Sequence, residues 1–130
     1  MSAADGLQRA QFVRGEANFF LSGMCDELGG TKGLNAIETF ANGIEGPLRE
    51  ASRTYSDFLQ KKFSNNARAK ELALTSHADH ARSIASSMIK LKGFVAALKV
   101  NPNNQADRIE AIRLMGYLRA QRLAMESCIY

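Results

Sequence analysis

From Ala67 to Val100 the chain contains no proline and a single glycine, Gly93. Within that stretch Ile84, Met88, Leu91 and Val95 return every three or four positions, the period of a helix with one apolar face. Both limits are marked. "SNN" at 64–66 offers side chains that cap a helix start. "NPNNQ" at 101–105 sets Pro102 among asparagines, which is the chemistry of a turn. The spacing therefore predicts one long helix over 67–100, with Gly93 or the Thr75–Ser76 region as places where it could bend or break. Such a helix has to be covered by other helices or by a sheet. No stretch alternates apolar and polar residues for long, so the sheet is excluded and the fold class is all-α.

The other segments follow the same period. Ala10, Val13, Ala17, Phe20, Met24 and Leu28 form one stripe of a helix predicted over about 3–28, with Phe12 and Phe19 off it. "GGTKG" at 29–33 reads as its C-cap and a flexible turn. It resembles a phosphate loop only superficially, because the spacing is wrong and a helix precedes it. Residues 34–46 carry Leu34, Ile37, Phe40 and Ile44 on a short helix loosened by Gly43 and Gly46. Pro47 suits the first position of a helix. The helix expected from there to Phe63 turns Leu48, Ala51, Tyr55, Phe58 and Leu59 one way and its charges the other. A last helix is expected over about 105–128. The architecture expected is an antiparallel bundle of four main helices, with the short helix across one end, in a single domain of residues 1–130. A chain of this length buries about two-thirds of its unfolded surface and needs no staple to fold.

Charge narrows the function classes only a little. The net charge is +4 and the pI about 9.3. This permits an acidic protein or a nucleic acid as partner, but the cations are spread along the chain rather than clustered. The start lacks the apolar core of a signal peptide and no apolar run approaches the ~18 residues of a membrane span. A cytoplasmic location is expected, with leaderless export as the alternative. Cys25 and Cys128 match no metal or redox spacing. Two reduced thiols are the reading for a cytoplasmic chain; a disulfide tying the C-terminal end to the first helix is the reading for an exported one.

"HADHARS" at 77–83 holds both histidines. On a helix His77 falls in the middle of the Ile84–Val95 face and His80 on its shoulder. An inward histidine in a bundle can ligate a metal or a haem. Di-iron bundles need Glu-x-x-His on two helices, and no Glu-x-x-His occurs here. No Cys-x-x-Cys-His is present to attach haem. The ordinary reading is a core histidine hydrogen-bonded to a neighbouring helix, with acid sensitivity as its consequence. No cofactor is expected, and His77 and His80 stand only as minor metal or haem candidates. Enzymatic chemistry fares no better. There is no Gly-x-Ser-x-Gly elbow, and Ser76, His77 and Asp79 on one helix point in three directions, which cannot make a triad.

The last helix carries two apolar stripes. Ile109, Ile112, Ala120 and Leu123 form one, with Gly116 permitting close approach. Ala111, Leu114, Leu118, Met125 and Ile129 form the other, on roughly the opposite side. A peripheral helix needs one apolar face, so a helix with two is either central or covered by another molecule. The function expected is a non-enzymatic protein–protein interaction module, an adaptor, chaperone-like or assembly subunit. It would bind a partner or a second copy through Leu114, Leu118, Met125 and Ile129, and through the exposed end of the long helix. The alternative is a nucleic-acid-associated protein using Arg108, Arg113, Arg119 and Arg122 of the same helix, recognisable by steep salt dependence.

Overall fold

The computed structural model describes residues 30–128, and among these the chain is helical with no strand. Four helices follow in order: α1 Gly30–Gly43, α2 Glu45–Lys62, α3 Ala67–Val100 and α4 Gln105–Glu126. Each of the four packs against the other three. No helix among the described residues is long and apolar enough to cross a membrane. The helix expected over 3–28, together with Cys25 and Ile129, lies outside the described residues.

The limits of α3 are those expected, and the caps show why. The Asn66 side chain accepts a hydrogen bond from the Ala69 amide at 3.0 Å, satisfying one of the amides that a helix start leaves without a partner. The helix runs unbroken through Thr75–Ser76 and past Gly93. Beyond the Pro102 turn, Asn104 caps α4 twice over. Its oxygen accepts from the Asp107 amide at 3.2 Å, and its own amide donates to the Asp107 carboxylate at 3.0 Å. At the other end α4 stops at Glu126, two residues short of the expected Cys128. Cys128 takes φ 56° and donates its amide to the Met125 carbonyl at 3.2 Å. This is the left-handed helix-ending position usually given to glycine.

Two expectations are corrected at the first turn of the chain's described part. Gly30–Gly33 are helical rather than a loop. The weak propensity of this glycine-rich stretch is overridden by packing. Gly33, Leu34, Ile37 and Ala41 are all buried, and that stripe carries the helix back through the glycines. The next helix begins at Glu45, before Pro47. Pro47 still lies in the first turn, where a missing N–H costs nothing. Only buried Ile44 separates α1 from α2.

The core joins Ile37 of α1, Leu48, Tyr55 and Leu59 of α2, Ile84, Leu91, Val95 and Leu98 of α3, and Ile112, Met115, Leu118 and Met125 of α4. The last helix is the central one. Ala111, Leu118 and Met125 from one expected stripe and Ile112 and Ala120 from the other are all buried. Ion pairs also reach between helices, Lys99 to Glu38 of α1 and Lys92 to Glu45 of α2, the latter at 3.9 Å. Both are solvent-exposed at the lysine end, so they add little to the apolar core.

Candidate functional site

The two histidines turn to different helices. His77 is buried at 8% exposure against α2. Its Nε2 lies 3.0 Å from Ser52 Oγ and 3.2 Å from the Ser52 carbonyl oxygen. Either tautomer ties the ring to Ser52: a protonated Nε2 donates to the carbonyl, and an unprotonated one accepts from the hydroxyl. The edge of the ring stands against Tyr55, with centroids 5.1 Å apart, and Nδ1 is buried with no hydrogen-bond partner. His80, half-buried, places its Nε2 2.8 Å from Oε1 of Gln121 on α4. The pair therefore tie α3 to α2 and to α4 and do not converge on a common point.

Burial lowers the pKa of His77 below its ordinary 6.5, and the bond to the Ser52 carbonyl offsets this only in part. The folded state thus prefers neutral His77. Above the unfolded value both states are neutral and the full stability is present. As pH falls through 6.5 the unfolded chain takes up a proton before the folded one does, and stability declines until the folded pKa is passed as well. Urea unfolding at pH 7.5 and at pH 5 is expected to show lower stability at the acidic pH, with most of that difference lost in His77→Gln. Equal pH dependence in the two proteins would place the acid sensitivity elsewhere.

The arginines of α4 are largely engaged within the chain. Arg108 is buried at 6% exposure and donates to the Pro102 carbonyl at 2.6 Å. Arg113 pairs with Glu110 at 3.2 Å and Arg122 with Glu126 at 2.8 Å. Arg119 is half-buried and lines a groove between α1 and α4 with Phe40, Ile44 and Met115. Arg113 also points away from the other three around the helix. The four do not form one outward stripe.

The proposed partner face divides in the same way. Leu118 and Met125 are 0% and 1% exposed, in the chain's own core, and Leu114 is half-buried against it. These side chains are covered because α4 has neighbours on both apolar sides, and a face buried inside the fold is not presented to a partner.

A further apolar groove lies at the tip where α2 meets α3. Leu59, Phe63, Ala69, Leu72, Ala73 and Ser76 line a groove of about 360 Å³ there. Leu59 is its buried floor, Phe63 and Ala73 are half-buried, and Leu72 stands 54% exposed. The tip forms because α3 outruns α4, which starts beside the other end of α3 and reaches His80 with Gln121. At 1.5 Å per residue α3 extends about 51 Å and α4 about 33 Å. No residue of α3 before His77 is fully buried. Lys62 lies over the rings of Phe58 and Phe63, with Nζ 5.7 and 5.5 Å from their centres. The sequence held one signal for this groove: Leu72 stands roughly 120° around α3 from the Ile84–Val95 stripe, an apolar residue on a face that the core does not need.

The thiol of Cys128 is free and half-buried. Among the described residues no group of three or more histidine, cysteine or acidic side chains could hold a metal ion. No family model, no curated protein and no solved structure matches the chain.

Proposed function

We propose that this chain is a non-enzymatic protein-interaction module, an adaptor or assembly subunit whose helices are arranged antiparallel. The short connections at 63–66 and 101–104 favour that arrangement for α2 with α3 and for α3 with α4. The observation that carries the reading is the apolar groove at the α2–α3 tip, with Leu72 more than half exposed above it. Single exposed leucines are common on soluble proteins. An exposed leucine at the mouth of an apolar groove is the less ordinary feature, and it marks a place where a partner's side chains are taken in. The nucleic-acid reading has less behind it, since Arg108 is buried and Arg113 and Arg122 are spent on carboxylates.

The test compares immobilised wild-type protein with Leu72→Asp in extract of the host, with the retained proteins quantified. A defined set of proteins held by the wild type and reduced about tenfold or more by the variant is the expected result. Identical retention would overturn the reading. Leu72 is exposed, so the variant is expected to keep the wild-type melting curve, which makes loss of retention separable from loss of fold.

A further inference from the structure

We propose that the groove at the α2–α3 tip takes the apolar face of an acidic amphipathic helix presented by another protein. The inference rests on the interaction-module reading and adds the chemistry of the partner. Three observations bear on it.

The first is the lining. Both walls are helices whose backbone groups are bonded within their own turns, so the groove offers side chains and no strand edge. A strand has nothing to pair with there, whereas a helix needs only apolar anchors at successive turns. The second is the shape. The leucine and the phenylalanine flank a concavity that ends on buried Leu59. A concave apolar floor receives protruding side chains. A lipid surface is met instead by apolar side chains that themselves protrude.

The third is the charge. Between Lys61 and Glu71 stand Lys61, Lys62, Arg68 and Lys70 against a single carboxylate. That carboxylate, Glu71, is already paired with Arg68 at 3.5 Å. Lys61, Lys62 and Lys70 have no ion-pair partner among the described residues, and Lys62 is held over the phenyl rings at the groove's edge. An apolar groove at a tip of net positive charge, with Lys62 at its edge, complements a helix with leucine-like anchors on one face and carboxylates beside them.

The experiment uses the full chain and a fluorescein-labelled, end-capped helical peptide of about 18 residues, roughly five turns. Its leucines are spaced i, i+3, i+7 and its remaining face is rich in glutamate. Saturable binding is expected by fluorescence anisotropy. Leu72→Asp is expected to weaken it about tenfold or more. Lys61→Glu/Lys70→Glu is expected to weaken it by a similar factor and to flatten its salt dependence. Chemical-shift changes are expected to gather at Phe63, Leu72 and Ala73. A peptide with lysine in place of glutamate, and a scrambled peptide that lacks the apolar face, are expected not to bind.

No saturable binding, or binding indifferent to Leu72→Asp, would overturn the proposal. So would binding to phosphatidylserine vesicles without binding to the peptide, which would reassign the tip to membranes. Concentration-dependent association of the chain that Leu72→Asp abolishes would give the groove to a second copy. Masking of the groove by residues 1–29 of the same chain would appear as failure to bind the peptide. If the peptide fails while host proteins are still lost with Leu72→Asp, the acidic helix is wrong and the interaction module stands. If both fail, both readings fall.

Discussion

Leu118→Ala is expected to lower the unfolding free energy by about 2–5 kcal/mol, the range for truncating a buried leucine whose surroundings relax incompletely. Leu118 is 0% exposed and belongs to the same cluster as Ile37, Leu91, Leu98, Ile112, Met115 and Met125. Those residues come from α1, α3 and α4, so collapse around the missing methyl groups requires several helices to move at once. Urea unfolding followed by circular dichroism measures the change. The midpoint is expected to fall without depending on protein concentration, because Leu118 supports the fold of one chain. Leu114→Ala, at a half-buried site on the same face, is expected to cost less, about 1 kcal/mol. A Leu118→Ala protein of unchanged stability but altered association would return Leu118 to the surface role that its spacing first suggested.

Arg108→Ala is the second substitution with a large expected effect, a loss of about 1.5–3 kcal/mol. The buried guanidinium donates to the Pro102 carbonyl across the turn between α3 and α4. Its hydrogen bond is charge-assisted, and its aliphatic stem fills space at the start of α4. Arg108→Met separates the two contributions, since it keeps the stem and drops the charge. Less than half of the alanine effect is expected to remain in it, because removing a buried charge also removes its desolvation cost. Thermal unfolding of the two variants side by side makes the comparison. An alanine variant as stable as wild type would mean that the turn holds itself without Arg108.

These two residues mark the limit of what could be read in advance. The span of α3 was legible because its signals are local: Asn66 caps one end, Pro102 closes the other, and nothing between them opposes a helix. The inward position of His77 was legible from angle alone. The roles of Leu118 and Arg108 were not, because they depend on where α4 lies. Two apolar stripes on one helix are equally consistent with a central position and with an outer face covered by a partner. Only its packing on α1, α2 and α3 together separates the two. An arginine that turns back onto the preceding turn reads in a sequence like any other surface cation. Gly30–Gly33 failed for a related reason, since local glycine preference yielded to a stripe that begins at Leu34 and depends on distant partners. The groove was least legible of all. Phe63 and Leu72 become neighbours only through the α2–α3 turn, and the excess length of α3 matters only beside its shorter companions.

The central position of α4 also sets an order of events during synthesis. Of the four helices it is the last to leave the ribosome, and it is the one whose apolar sides the other three cover. Until it emerges, α1, α2 and α3 expose the surfaces that will later close on Ile112, Met115 and Leu118. The growing chain therefore carries open apolar faces until α4 has emerged, and closes them when it docks. A nascent chain in that state is a substrate for chaperones and a hazard for aggregation, so the speed with which α4 docks governs how much of the protein reaches its folded form.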